Sequence, residues 1–218
     1  MENAYSGLNI LTYGLIAFTA LFSFISFRDE SRLSKFAFTP YLIHRNKEHY
    51  RFLSHAFIHA DEMHLFFNML GLYFFGTYLE DYFCLVLYGP LMGRIIFLIF
   101  YTTAIYAASL PQYFQQRNDR GKSSLGASGA VNSIVFAFIM VNPTSKLSFF
   151  LIPVGIPAWI FGIFYLGISY YLSKRKSSNS PVDMIDHAAH FWGALYGIIF
   201  ICTLDYTLLI EFFQKILG

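Results

Sequence analysis

Six separate runs of mostly apolar residues, each close to the length of a bilayer crossing, constrain this chain more than any other feature. They lie at about 8–27, 63–79, 91–110, 126–142, 149–172 and 184–204. A hydrocarbon core takes about 20 apolar residues of helix, so runs of this length predict an all-α membrane protein, a six-transmembrane-helix bundle. One domain spanning residues 1–218 accommodates all six. Composition agrees where it decides something: only 13% of residues are charged, against about 25% in a soluble domain, so the solvent is lipid. The 20% aromatic content excludes disorder, and two cysteines exclude a disulfide scaffold. Cys84 and Cys202 sit in or beside apolar runs and read as small hydrophobes. A net charge of +2 with dispersed basic residues implies no nucleic-acid partner.

The connections differ in character. No Lys or Arg precedes the first run, so it lacks the basic start of a signal peptide and reads as a retained span. The stretch 28–62 is polar and aromatic, and its short apolar bursts (Phe52, Leu53, Phe57, Ile58) predict an interfacial segment. The second run is expected to end at Glu80 and Asp81, and Pro90 and Gly93 mark the entrance of the third. Residues 111–124 read as a polar loop, and Asn142-Pro143 closes a brief fourth span. Pro153 and Pro157 fall near the start of the fifth, and a basic, Ser-rich loop, 174–181, separates it from the sixth. The tail beyond Leu204 either extends that helix or lies along the interface.

Polar side chains within lipid-embedded helices are costly, which marks three places. Gly126-Ala127-Ser128-Gly129 opens the fourth span. A serine in the first turn of a helix lies near unpaired N–H groups and the positive dipole end, where an oxyanion is stabilised. Small residues there also serve tight helix packing. His190 lies in the sixth span with Gly193 and Gly197 beyond it. A neutral histidine is the usual base for a serine nucleophile, and the glycines allow the close helix approach that such a pair needs. Taken alone, it reads equally as a structural hydrogen-bond former. His64 and Asn68, spaced i,i+4, share a helix face and are donors suited to a developing negative oxygen, or a polar packing pair. His55 and His59 also have i,i+4 spacing, but no H-E-x-x-H pattern accompanies them, and no metal is assigned.

Together, Tyr50-Arg51, His59, the His64 to Asn68 spacing, the G-x-S-G block and Asp186-His187-Ala188-Ala189-His190 resemble the rhomboid intramembrane serine proteases, in that family's order and over nearly the whole chain. The resemblance implies a Ser128/His190 dyad that cleaves transmembrane protein substrates within the lipid bilayer and requires no cofactor. The Ser128 backbone N–H, His64 and Asn68 would then form the oxyanion hole. Gly126, Gly129, Gly193 and Gly197 would support helix packing. The chain departs from the family pattern at three places. Tyr50 replaces a common tryptophan, and Trp192 replaces the first of two glycines. Trp192 lies about 200° around the helix from His190 and can point away from the dyad. Asn132 stands one turn after the serine, where some members have an aromatic that stacks on the histidine. Asp186 reads as a helix cap before it reads as a third triad member.

Two other classes fit parts of this pattern: a catalytically inactive relative that binds membrane clients, and a transporter with intramembrane histidines. Orientation divides the arguments. The segments after spans one, three and five carry 12 of the 15 Lys and Arg residues, and the positive-inside rule would place them in the cytoplasm. The resemblance to bacterial members implies a bacterial inner membrane with the active site open to the extracytoplasmic side. Half of the 12 lie in the interfacial segment, where long basic side chains snorkel, so the expectation follows the resemblance.

Overall fold

A computed structural model describes residues 9–149, 152–174 and 186–218. The helices are α1 (Ile10–Ser26), α2 (Glu30–Phe36), α3 (Pro40–Asn46), α4 (Arg51–Ser54), α5 (Glu62–Leu87), α6 (Pro90–Gln116), α7 (Ser128–Val141), α8 (Ala158–Lys174), α9 (His187–Leu204) and α10 (Thr207–Leu217). A hairpin of β1 (Lys146–Phe149) and β2 (Ile152–Pro157) precedes α8. Among the described residues, α5, α6 and α9 are long and apolar enough to cross a membrane, and α1 and α7 are shorter apolar helices.

The 14-residue α7 is the axis of the bundle, because its sequence is apolar or small on every face. Ala130, Ile134, Ala137 and Met140 join the main core with Phe97, Phe100, Tyr101 and Ala104 of α6. Phe136 and Ile139 turn the other way, toward Ala158 at the start of α8. Against α9 the backbones nearly touch: a Cβ built on Gly193 would collide with the Gly129 carbonyl, and one on Gly197 with that of Ser133. The Ser133 hydroxyl donates to the Gly193 carbonyl at 2.7 Å, locking the register of the two helices. Lipid offers no hydrophobic drive between helices, so close backbone approach and interhelical hydrogen bonds carry this contact.

Three span boundaries differ from those expected. The second span does not stop at Glu80 but continues to Leu87, through wide turns at Leu72–Gly76 and Tyr82–Leu87. Glu80 is buried within it because the start of α1 needs a cap. Its carboxylate accepts from the Leu11 N–H (3.2 Å), the Thr12 N–H (2.9 Å) and the Thr12 hydroxyl (2.8 Å), with Arg94 Nε 3.7 Å away. The third span runs past Leu110, through Pro111, to Gln116. The expected fifth span, 149–172, instead opens on the β-hairpin strand Ile152–Pro157, whose two prolines fit an edge and not a helix interior; the helix begins only at Ala158. Residues 1–8 and 175–185, within which the first and sixth runs were expected to begin and the Ser-rich loop to lie, fall outside the described residues.

The interfacial stretch forms the short helices α2 to α4. Arg51 anchors it: buried, it donates to the Ser34 (2.8 Å) and Ala37 (2.9 Å) carbonyls and pairs with Glu48 at 2.6 Å. A two-residue bridge then ties Phe38 to Ser124, with both N–H···O bonds at 3.0 Å. This fastens the interfacial segment to the loop that leads into Ser128.

Candidate active site

Ser128 is the first residue of α7, and the loop before it is held from below by two histidines. The His55 carbonyl accepts the Gly126 N–H at 2.9 Å, while the His55 ring is fixed by the Arg51 carbonyl at 2.9 Å. His59 is fully buried and accepts the Ala127 N–H on Nε2 at 3.4 Å. Its Nδ1 lies 3.0 Å from the Ser23 hydroxyl, which donates to the Phe57 carbonyl. That chain requires a neutral His59 with its proton on Nδ1. Burial agrees, pushing His59 down to about 3 and His55 down to about 4. Gly126 adopts φ +108°, and a Cβ there would lie 2.6 Å from His64 Cε1. Only glycine fits beneath that ring, which in turn packs edge-on against His59 at 4.9 Å.

A cleft of about 800 Å³ opens beside Ser128, and its walls bring together residues of α5, α6, α7, α8, α9 and the loop before α7. His64 and Asn68 come from α5, Ser128 and Asn132 from α7, Tyr165 from α8, and His190 from α9, with loop residues 122–125 at the rim. The Asp61 carboxylate caps α5 through the His64 N–H at 2.7 Å, and the Asn68 amide donates to the His64 carbonyl at 2.8 Å. Ser128 and His190 line the same cleft without a hydrogen bond between them. Trp192 is not among the lining residues.

The structure adds one residue that the sequence reading missed. Tyr165 lies with its hydroxyl 3.1 Å from His190 Nδ1 and its ring nearly parallel to the imidazole, centroids 6.3 Å apart. It supplies from α8 the aromatic that α7 lacks at Asn132, whose amide instead donates to the Ser128 carbonyl at 2.9 Å. No local signal marks Tyr165, one of 16 tyrosines, because the contact arises between helices. Asp186 accepts the Ala189 N–H at 2.9 Å and a Gln112 amide N–H, so it caps α9 and braces it against α6. Nδ1 of His190 faces the Tyr165 hydroxyl, while Asp186 bonds to Ala189 and Gln112. Behind Ser128 a second cavity of about 20 Å³, lined in part by Ser109, Gln112, Ser124 and Asp186, has room for one water.

A multi-pass helical membrane protein with a polar cleft sunk among its spans is the class this architecture defines. The chain belongs to the rhomboid family: the Rhomboid domain model matches residues 46–206. It is 38% identical over 156 residues to RHOMBOID-like protein 12, mitochondrial, of Arabidopsis thaliana, covering 67% of this chain and 44% of that protein. Rhomboid protein 1, mitochondrial, of Saccharomyces cerevisiae is 28% identical over 148 residues, covering 66% and 39%. Presenilin-associated rhomboid-like protein A, mitochondrial, of Danio rerio is 27% identical over 156 residues, covering 67% and 35%. The matched regions thus span less than half the length of these relatives.

Proposed function

We propose that the chain is an intramembrane serine endopeptidase that cleaves transmembrane protein substrates, with Ser128 as nucleophile and His190 as base. The observation that carries this reading is the shared cleft, which collects Ser128, His190, His64 and Asn68 from three separate helices. Ser128 Oγ attacks the scissile carbonyl while His190 Nε2 takes its proton and later delivers it to the leaving amine. This requires the neutral tautomer protonated on Nδ1, and the Tyr165 oxygen, 3.1 Å away, accepts that proton's hydrogen bond. The Ser128 N–H, at the positive end of α7, and the side chains of His64 and Asn68 hold the oxyanion. A water then hydrolyses the acyl-enzyme.

Helix length supports placing this chemistry below the membrane surface. Fourteen residues of α7 rise about 21 Å, less than the roughly 30 Å of hydrocarbon. The rest of that crossing is irregular backbone, 117–127, which is tolerated at such depth only where protein buries it or water reaches it. The six-span layout belongs to the same reading, with α1, α7 and α8 as the shorter crossings. The relatives' names carry the word mitochondrial, so they lend no support to the bacterial membrane expected from the resemblance. A fluorophosphonate probe tests the nucleophile: the adduct is expected on Ser128 and is expected to vanish in His190→Ala. Labelling that persists there would remove His190 as the activating base.

A further inference from the structure

Around Tyr41, on the loop side of the bundle, cations from two distant parts of the chain converge. Arg45 of α3 and Arg120 of the loop after α6 both lie over the Tyr41 ring, their guanidinium carbons 6.0 and 5.0 Å from its centroid. Next along α3 is His44, whose Nδ1 is 3.4 Å from the Tyr113 hydroxyl of α6. Burial, followed by Arg117, Lys47 and Arg45, holds His44 below its usual range, so these cations act on one spot. Among the described residues none of Arg45, Lys47, Arg117 and Arg120 has a carboxylate within 4 Å. The nearby acids are otherwise engaged: Asp119 accepts the Gly121 N–H at 2.9 Å, and Glu48 is bound by Asn46 and Arg51. Like charges gathered with no carboxylate within 4 Å repel, and two arginine forks over one tyrosine ring suit a phosphate.

The place of the patch selects the kind of phosphate. Tyr106, Leu110 and Phe114 follow one another at i,i+4 on the outer face of α6, all exposed in a helix long and apolar enough to cross the membrane. Arg117 caps that helix one turn further on, its guanidinium 5.8 Å from the Phe114 ring. A lipid-facing stripe therefore runs directly into the cations, at the level where acyl chains give way to headgroups. We propose that Arg45, Lys47, Arg117 and Arg120 form a headgroup site for an anionic phospholipid, at the end of the bundle where the Ser128 cleft lies.

The test uses the full chain in phosphatidylcholine nanodiscs titrated with phosphatidylglycerol, with retained lipid counted by mass spectrometry. Wild-type protein is expected to enrich phosphatidylglycerol. Arg45→Gln/Arg120→Gln should weaken this about 25-fold, at roughly fivefold for each basic residue removed. Arg28→Gln/Arg32→Gln, which removes the same charge elsewhere in the interfacial segment, should leave enrichment unchanged; an equal loss there would overturn a localised site. Inorganic phosphate or a polyglutamate peptide that displaces the lipid at comparable concentration would overturn the lipid assignment. Should the double variant fail to fold, a photoactivatable phosphatidylglycerol on wild-type protein decides the matter: adducts are expected within 41–47 and 114–122, and adducts confined to other segments refute the proposal.

Discussion

In the proposed mechanism Tyr165 takes, beside His190, the place that a buried carboxylate takes in a soluble serine protease, at lower electrostatic cost in lipid. Its oxygen lies within hydrogen-bond reach of Nδ1 and can accept the Nδ1 proton, and its ring limits the imidazole's rotation. Tyr165→Phe keeps the stacking and removes one hydrogen bond worth about 1 kcal/mol, so turnover should fall roughly fivefold with KM little changed. An unaltered turnover number would leave Tyr165 as packing alone. His55 and His59 make a second prediction. Both are neutral in the folded chain, with values lowered to about 4 and about 3. The unfolded state takes up protons first, near pH 6.5, so folding stability drops as pH falls from there toward 4. Each histidine contributes at most about 1.4 kcal/mol per pH unit in that window. Thermal unfolding of His55→Gln across this range should show a shallower pH slope than wild type, and an identical slope would contradict the assignment.

Among the elements, α1 and α5 depend on one carboxylate. Glu80 caps the α1 N-terminus while embedded in a helix that reads as a membrane crossing. Removing one member of a buried charged pair costs about 3–5 kcal/mol. Glu80→Ala should therefore lower stability by several kcal/mol, measured by steric trapping or by denaturant in detergent. A change below about 1 kcal/mol would mean that water already reaches the cap. The same residue shows where reading the sequence stops. Apolar runs located the helices, since lipid demands them, and the glycines at 193 and 197 marked a close approach because a side chain there has no room. The ends were less legible. A buried glutamate reads as a span boundary until its partner, 68 positions away in sequence, is known. Pro111 reads as a helix stop although α6 tolerates it near its last turn, and the hairpin before α8 is as apolar as a crossing. In the cleft, Ser128, His190, His64 and Asn68 were marked by polarity within apolar runs, whereas Tyr165 is one aromatic among many and gains meaning only from what it touches.

For the whole molecule, the interfacial helices, the 124–127 loop and the cleft lie at one end of the bundle, so orientation and activity are one question. The side holding 111–124 is expected to be extracytoplasmic, in the terms of a bacterial host membrane. Gln115 is exposed in the last turn of α6. A cysteine placed there, in a background lacking Cys84 and Cys202, should react with an impermeant thiol reagent in intact cells; labelling only after permeabilisation would favour the charge count instead. The central claim is hydrolysis of a peptide bond inside a membrane. Purified protein reconstituted in liposomes with a panel of single-span substrates, analysed by mass spectrometry, tests it most directly. The account predicts discrete cleavage within or beside the substrate's span by wild type and none by Ser128→Ala. Equal fragmentation by Ser128→Ala, or intact substrates that co-purify with wild-type protein across the panel, would contradict it and leave a client-binding member of the family.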